Sequence, residues 1–287
     1  TALITPFDNE GRVNYEILRS HIEILIEGGV DALYPLGTTG EFPLLSQEER
    51  KKVAEEVVKT VRGRVPVVIQ TGDDNIKVVE DLILHAKSIG VDGVAVVTPY
   101  YFNLNGDELF TFYGYIAEKY IDIPIYLYNI PQITGISIPV DIIKRLIEKY
   151  KNITGIKDSS GDFSYFMELM KLKEIHPDFV VLTGTDKYIL STHQIGADGN
   201  VSGFSNCFPE VFSSFRKAFI EGDETNYENI YKKILYISEV LKDGAVIDLI
   251  KAVCRLKGEN VGYVRMPLRR ISKEEERALK DKLKKLL

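Results

Sequence analysis

Short runs rich in valine and isoleucine alternate with longer amphipathic segments along the whole chain. The short runs have the length and β-branched composition of buried strands, whereas the longer segments carry apolar residues at the i, i+3, i+4 spacing of helices. The candidate strands are residues 2–5, 32–36, 65–70, 93–98, 125–129, 153–157, 180–183 and 199–202. Because the runs alternate with helical segments, the pattern predicts a parallel sheet with helices packed against it.

Eight such strands, each followed by a helix, have the number that closes a (β/α)8 TIM barrel. The candidate helices between them are residues 15–27, 46–61, 75–89, 106–119, 140–150, 163–175 and 187–194. We expect a single α/β domain, 1–287, in which residues 1–222 form the barrel and residues 223–287 add C-terminal helices. A doubly wound open sheet is the alternative, but no GxGxxG motif follows the first strand.

Composition limits the classes of function. The chain has 287 residues, 45% of them hydrophobic, and a net charge of −6; its lysines and arginines are spread out, so we expect no nucleic-acid partner. Its two cysteines, Cys207 and Cys254, lack the spacing of a zinc site or a disulfide framework. A bilayer-spanning helix needs about 20 consecutive apolar residues, and no segment of the sequence approaches this length. The sequence also does not open with the pattern of a signal peptide. We therefore expect a soluble cytoplasmic protein with no membrane contact.

One lysine, Lys157, lies in an apolar run that forms the sixth candidate strand. A lysine in a buried strand pairs with a carboxylate, reaches solvent at the end of the strand, or loses its proton. Pairing with Asp158 is the structural explanation. The functional explanation is that a neutral amine condenses with a ketone to form a Schiff base, and an apolar interior favours the neutral form. An inward-pointing Asp158 would oppose this.

Other polar groups follow the ends of the candidate strands, where the catalytic residues of (β/α)8 barrels lie. The segment Gly37-Thr38-Thr39-Gly40-Glu41 follows the second strand and combines glycine turns with two hydroxyls, which suits a small anion such as a carboxylate. Tyr101 follows the fourth strand, and Tyr128 lies near the end of the fifth. A phenol transfers protons when hydroxyls connect it to solvent, and Thr39 is a candidate link. Each motif alone is common in turns or cores, but together at one end of a barrel they indicate a site.

Six motifs together resemble the class I pyruvate-dependent aldolases and lyases typified by dihydrodipicolinate synthase and N-acetylneuraminate lyase. They occur in the order and at the spacing of that family, and they cover nearly the whole chain. The motifs are GTTGE (37–41), TPYY (98–101), YNIP (128–131), GIKD (155–158), TGTD (183–186) and DGNV (198–201). The resemblance implies Schiff-base chemistry on pyruvate.

By this resemblance, Lys157 is the Schiff-base lysine and Tyr128 is the proton-transferring phenol. Thr38 and Thr39 bind the carboxylate of pyruvate, and Thr39 also belongs to the proton relay. Tyr101 reaches into the site of a neighbouring subunit, which implies a homotetramer built as a dimer of dimers. An iminium at Lys157 is itself the electron sink for the carbon–carbon chemistry, so the resemblance implies no metal and no other cofactor.

The chain departs from the two best-known members where the second substrate binds. Dihydrodipicolinate synthases carry an arginine two residues after the proline of the YNxP motif, where this chain has Ile133. Neuraminate lyases place an acidic residue after the aspartate of the GxD motif, where this chain has Lys187. The chain is more similar to archaeal-type 2-keto-3-deoxygluconate aldolases. This implies reversible cleavage of a 2-keto-3-deoxy sugar acid to pyruvate and an aldehyde such as glyceraldehyde, with Gly184, Gly203 and Thr134 lining the polyol pocket.

Three alternatives stay open. The first is a dihydrodipicolinate synthase that condenses pyruvate with aspartate semialdehyde and uses Arg269 or Lys187 in its second-substrate site. The second is a lyase or dehydratase that acts on another hydroxylated 2-keto acid. The third is a non-catalytic barrel that has kept the fold and lost the chemistry, and the joint presence of Lys157, Tyr128 and Thr39 argues against it.

Overall fold

The computed structural model describes residues 1–241, 246–284 and 286. The chain divides into two compact units, Thr1–Val67 with Ser202–Leu287, and Val68–Val201. The β-strands are β1 (Val68–Gln70), β2 (Gly93–Val97), β3 (Ile125–Asn129), β4 (Ile153–Asp158), β5 (Val180–Thr183) and β6 (Gly199–Asn200). The α-helices of the described residues are α1 (Tyr15–Glu27), α2 (Gln47–Val61), α3 (Ile76–Ser88), α4 (Gly106–Lys119), α5 (Pro131–Thr134), α6 (Val140–Lys149), α7 (Phe163–Ile175), α8 (Ile189–Gln194), α9 (Pro209–Ile220), α10 (Glu224–Val240), α11 (Val246–Leu256) and α12 (Lys273–Leu283).

The unit Val68–Val201, all of whose residues are described, contains a six-stranded parallel sheet. Its strands are ordered β1-β2-β3-β4-β5-β6, so each strand pairs with the next one along the chain. Parallel neighbours require a crossover connection, and the helices α3 to α8 supply these crossovers. The register aligns Tyr128 of β3 with Lys157 of β4.

The same unit has one apolar core between its strands and helices. The strand β2 is buried along its whole length, as expected for a parallel strand that is covered on both faces. Val94 and Val96 of this strand pack in a cluster with Leu109 of α4 and Ile143 of α6. The packing holds the strands in place, so their carboxyl ends present polar side chains in fixed positions.

In the unit Thr1–Val67 with Ser202–Leu287, the first two candidate strands form single bridges rather than extended ladders. Ala2 pairs with Tyr34, and Leu33 pairs with Val67, both in parallel orientation. The N–H group of Ala2 also donates a hydrogen bond to the carbonyl of Ser202, at 2.9 Å. The parallel direction predicted for these segments is therefore present, but over a shorter length.

The C-terminal part of that unit is helical. Apolar residues of α10, α11 and α12 share a hydrophobic core with Phe208. The predicted C-terminal extension, residues 223–287, contains these three helices, while its residues 242–245, 285 and 287 lie outside the described residues. None of the helices in the described part of the chain combines the length with the hydropathy that a bilayer-spanning segment requires.

Most helix starts follow from capping residues. A side chain before each of α1, α3, α4 and α7 accepts hydrogen bonds from the first turn of the helix; these residues are Asn14, Asn75, Asn105 and Asp162. A capping box formed by Ser46 and Glu49 begins α2. The Ser46 hydroxyl accepts from the N–H of Glu49 at 3.2 Å, and the N–H of Ser46 donates to the Glu49 carboxylate at 2.9 Å.

Candidate active site

The lysine of the GIKD motif lies inside the unit Val68–Val201, next to a phenol. Lys157 is near the carboxyl end of β4, and its side chain is only 4% exposed. Tyr128 is opposite it on β3 and is 1% exposed. The Lys157 Nζ atom lies 4.1 Å from the centroid of the Tyr128 ring. The two side chains that the sequence selected as nucleophile and proton carrier are therefore in contact.

The neighbouring carboxylate, Asp158, is held by other groups. Successive residues of a strand point to opposite faces, so Asp158 and Lys157 are directed apart. Asp158 accepts hydrogen bonds from Asn129 Nδ2 at 2.8 Å and from the Ser160 hydroxyl at 2.9 Å. Burial raises the pKa of Asp158, although the hydrogen bonds from Asn129 and Ser160 act in the opposite direction. The inward-pointing Asp158 considered from the sequence is thus not observed.

A glycine at the end of the next strand leaves room for the lysine side chain. Gly184 follows β5, and its N–H donates to the carbonyl of Asp158 at 2.6 Å. A β-carbon at this position would overlap the Ser159 hydroxyl and would lie 3.2 Å from Lys157 Cε. Gly184, one of the predicted pocket residues, therefore lies directly beside Lys157. Ser159 belongs to none of the six motifs, so no sequence pattern indicated it.

The YNIP motif continues into the short helix α5, which was not predicted because four residues are too few to show a helical period. Pro131 is at its first position, and Gly135 ends it with a φ of 74°. The hydroxyl of Thr134 is buried, accepts from the Thr98 hydroxyl at 3.0 Å, and lies near the carbonyls that flank α5. Ile133, in contrast, is 59% exposed.

Tyr101 differs from the other predicted site residues because its side chain is 81% exposed. It lies after β2 and forms an edge-to-face pair with Phe102, with 5.3 Å between the ring centroids. The backbone N–H groups of Tyr100 and Tyr101 both donate to Asp74 Oδ1, at 2.7 and 3.3 Å. The loop backbone is therefore anchored while two aromatic rings face outward.

The GTTGE loop belongs to the other unit and is a compact turn. The N–H of Gly40 donates to the carbonyl of Gly37, and the N–H of Glu41 donates to the carbonyl of Thr38, both at 3.0 Å. Thr38 and Thr39 are half-buried. A β-carbon at Gly203 would lie 3.3 Å from the Thr39 hydroxyl, so this predicted pocket residue packs beside the loop.

The structure thus groups the predicted residues within each unit. The unit Val68–Val201 brings together Lys157, Tyr128 and Gly184. The unit Thr1–Val67 with Ser202–Leu287 brings Thr39 together with Gly203. A buried amine beside a phenol can form an imine and exchange protons, and threonine hydroxyls can bind a carboxylate.

Three potential metal ligands also approach one another in the unit Thr1–Val67 with Ser202–Leu287. His21, Cys254 and Glu259 have ligand atoms within 4.8 Å of one another. Both ring nitrogens of His21 are already engaged, Nδ1 with Glu259 at 2.6 Å and Nε2 with Asn206 Oδ1 at 3.1 Å. The group is therefore explained by internal hydrogen bonding.

Comparison with known proteins gives matches along nearly the whole chain. A family model, the dihydrodipicolinate synthetase family, matches residues 1–286. The 4-hydroxy-tetrahydrodipicolinate synthase of Methanothrix thermoacetophila is 35% identical over 285 residues, which cover 99% of this chain and 95% of that protein.

Two solved structures match this fold closely. A prophage protein of the dihydrodipicolinic acid synthase family from E. coli K12, in complex with pyruvate, is 31% identical, with a TM-score of 0.95 and coverage of 99% of this chain and 96% of that chain. The dihydrodipicolinate synthase of Aquifex aeolicus is 35% identical, with a TM-score of 0.93 and coverage of 100% and 96%. With the consecutive parallel strands, these matches confirm the predicted fold class, a (β/α)8 barrel with additional C-terminal helices.

Proposed function

Because the chain belongs to the dihydrodipicolinate synthetase family, whose members are class I Schiff-base lyases that act on pyruvate, we propose that Lys157 is its Schiff-base lysine. The protein is an enzyme of this aldolase and lyase type. The assignment to Lys157 is supported by its burial at the carboxyl end of β4 and by the Tyr128 ring 4.1 Å from its Nζ.

The proposed reaction is the reversible cleavage of a 2-keto-3-deoxy sugar acid. Lys157 condenses with the C2 ketone, and the Tyr128 phenol gives its proton to the departing hydroxyl, so that water leaves and an iminium and a phenolate are formed. The Tyr128 phenolate takes the proton of the C4 hydroxyl, the C3–C4 bond breaks, and its electron pair moves toward the iminium nitrogen. An aldehyde such as glyceraldehyde leaves, C3 of the enamine takes up a proton, and water hydrolyses the new iminium to pyruvate and free Lys157.

The carboxylate of the substrate is assigned to the GTTGE loop. Thr38 and Thr39 offer two hydroxyls on a tight turn, and hydroxyls of this kind are suitable donors for a carboxylate. Thr39 also serves as a link in the proton relay of Tyr128. Gly184, Gly203 and Thr134 are assigned to the pocket for the polyol part of the substrate.

The side chain that carries the choice of a sugar acid is Ile133. It is an exposed apolar residue on α5, at the position where synthases of the family carry an arginine for a second carboxylate. An isoleucine provides no donor for an anion, whereas an uncharged polyol does not require one. We therefore favour an uncharged second product over an amino acid semialdehyde.

The experiment compares two assays on the same enzyme. Pyruvate release from 2-keto-3-deoxygluconate is followed by a coupled dehydrogenase, and condensation of pyruvate with aspartate semialdehyde is followed by product mass. We expect a higher kcat/KM for the sugar acid, and we expect Ile133→Arg to shift the ratio toward aspartate semialdehyde. Turnover of aspartate semialdehyde alone would reject the sugar-acid assignment.

The second candidate function is dihydrodipicolinate synthesis. It is favoured by the name of the Methanothrix thermoacetophila relative, a 4-hydroxy-tetrahydrodipicolinate synthase that is 35% identical over 285 residues. A synthase would need a different cation for the second carboxylate, and Lys187 and Arg269 are the candidates. Loss of condensation in Lys187→Met or Arg269→Met would identify which of them serves.

We also propose that the enzyme is a homotetramer in which Tyr101 completes the site of a neighbouring subunit. The support is the exposure of Tyr101 and Phe102, two adjacent aromatic rings on one anchored loop. An exposed aromatic pair is typical of a protein contact surface. Sedimentation should give a tetramer, and Tyr101→Phe should keep the assembly but lower kcat. A fully active monomer would remove Tyr101 from the mechanism.

A further inference from the structure

A buried ion pair lies behind the GTTGE loop, and we propose that it positions this loop for the substrate carboxylate. The pair joins Glu41, the last residue of the loop, to Lys251 of α11. Glu41 and Lys251 act in this proposal as positioning residues, through the backbone of Thr38 and Thr39. The inference rests on the proposed function, because it assumes that these two threonines bind the carboxylate of pyruvate.

The ammonium group of Lys251 and both carboxylate oxygens of Glu41 all have partners. Lys251 Nζ donates to Glu41 Oε1 at 2.5 Å and to the Tyr263 carbonyl at 3.1 Å, and it lies 4.2 Å from the centroid of the Phe7 ring. The other carboxylate oxygen of Glu41, Oε2, accepts from the backbone N–H of Arg265 at 2.9 Å. Neither side chain is exposed to solvent. The carboxylate is therefore fixed from two sides.

The segment that holds Glu41 through the N–H of Arg265 is itself anchored to the same region. The guanidinium group of Arg265 donates to the Leu44 carbonyl at 2.8 Å and to both carboxylate oxygens of Glu49. Leu44 ends the short 3₁₀ turn that follows the loop, and Glu49 lies in the first turn of α2. Arg265 therefore binds both the end of the GTTGE loop, through Glu41, and the start of α2, through Glu49.

The backbone conformation of the GTTGE loop explains why these contacts are needed. Glu41 has a φ of 59° and Leu36 has a φ of 62°, so two non-glycine residues in the left-handed region flank the loop. This conformation is strained for residues other than glycine. Between them, the Gly40 carbonyl accepts from the Thr5 hydroxyl at 2.7 Å. A loop held against its local preference needs strong tertiary contacts, and the Glu41 carboxylate supplies two of them.

Stability alone does not account for an ion pair at this place. Burial raises the pKa of Glu41 and lowers the pKa of Lys251, so burial opposes both charges. A buried ion pair can often be replaced by apolar side chains of similar volume without loss of stability. An apolar pair, however, could not accept a hydrogen bond from the N–H of Arg265, so it could not fix the orientation of residue 41. The directional contacts are therefore the feature that requires this pair.

The test measures how well the enzyme distinguishes a ketone with a carboxylate from one without. Pyruvate and acetone are each trapped on the enzyme with borohydride, and the ratio of the two trapping rates is determined by intact mass. For Glu41→Leu/Lys251→Met we expect the ratio to fall at least about tenfold, the effect of losing one well-placed hydrogen bond. Acetone trapping should change little, because acetone makes no use of the loop.

A conservative variant and a matched control accompany the double variant. Glu41→Gln keeps the side-chain shape but replaces one acceptor oxygen by a donor, so its ratio should lie between those of the wild type and the double variant. Asp248→Asn is the control, because Asp248 is one turn earlier on α11, is buried, and accepts the N–H of Ile271 at 2.7 Å. It should lower the melting temperature and leave the ratio unchanged.

The outcomes separate this inference from the proposed function. If wild-type enzyme forms no pyruvate adduct, the proposed function fails. If the wild type is trapped by pyruvate and the double variant keeps the wild-type ratio, or loses both rates in parallel, the positioning role is wrong. If the double variant does not fold, Glu41→Gln decides, and an unchanged ratio in that variant also rejects the role.

Discussion

At the residue scale, the proposed chemistry depends on what surrounds Lys157. The side chain is buried at the end of β4, its neighbour Asp158 is bonded to Asn129 and Ser160, and a glycine leaves the adjacent space open. The sequence indicated the lysine because a lysine in an apolar run is unusual, and it indicated the phenol because Tyr128 lies near the end of a neighbouring strand. It could not predict the partners of Asp158, since these depend on the direction in which each side chain of the strand points.

The first prediction concerns the phenol. Tyr128→Phe keeps the ring that packs against Lys157 but removes the proton carrier, so kcat should fall by about 10²-fold or more, with a small change in KM for pyruvate. Tyr126→Phe, two residues earlier on β3, is the matched control and should keep kcat. Steady-state kinetics would check this, and equal kcat values for the two variants would contradict the role of Tyr128.

The second prediction concerns the space beside the lysine. Gly184→Ala introduces a β-carbon that overlaps the Ser159 hydroxyl and lies 3.2 Å from Lys157 Cε. Borohydride trapping of pyruvate should therefore become slower, by about tenfold or more if one well-placed contact is lost. Adding Ser159→Ala should restore part of the rate by removing the overlapping atom. Wild-type trapping in Gly184→Ala alone would show that this space is not needed.

At the element scale, helices were predictable because their signals are local. The predicted bounds 15–27, 106–119 and 163–175 agree with α1, α4 and α7, whose starts are set by capping side chains. The first two candidate strands were less predictable in extent, since ladder length depends on neighbours that are distant in sequence. The predicted helix 187–194 begins as a 3₁₀ turn, Asp186–Tyr188, before α8.

The third prediction tests the capping box of α2. Ser46→Ala removes the acceptor for the Glu49 N–H and should lower the free energy of unfolding by about 1 kcal/mol, whereas Ser46→Thr should lose much less. Urea denaturation followed by circular dichroism provides the measurement. Equal midpoints for Ser46→Ala and the wild type would mean that the cap contributes nothing measurable.

At the scale of the whole molecule, contacts between distant parts of the chain were the least predictable. Glu41 and Lys251 are 210 residues apart, and His21 and Glu259 are 238 residues apart. Lys251 and His21 lie outside all six motifs, so no local sequence pattern indicated either residue. The GTTGE motif identified the loop, but the groups that hold it could be recognised only from the fold.

The fourth prediction concerns the pH dependence of stability. Burial alone would lower the pKa of His21, but its hydrogen bonds to Glu259 and Asn206 outweigh burial and raise it above the usual 6.5. Asn206 Oδ1 accepts the N–H of Ile4, and an amide oxygen can only accept, so His21 Nε2 donates to it. His21 Nδ1 faces the Glu259 carboxylate and donates to it. Both ring nitrogens of His21 therefore carry protons. A raised folded-state pKa adds stability that is fully present below pH 6.5 and is lost as the pH rises through the folded-state value.

Thermal melting between pH 6 and pH 9 checks this point. The wild type should lose stability on the alkaline side of this range, relative to His21→Gln, whose side chain does not titrate. Parallel melting curves for the two proteins across the range would contradict a charged His21 in the folded state.

The central claim is that Lys157 forms a Schiff base with pyruvate, and borohydride trapping tests it most directly. The enzyme is incubated with pyruvate and borohydride, its intact mass is measured, and the modified peptide is mapped, with Lys157→Ala as the control. We predict one pyruvate adduct, located on Lys157 and absent from the variant. An adduct on another lysine, or no adduct under conditions that trap a known class I aldolase, would contradict the account.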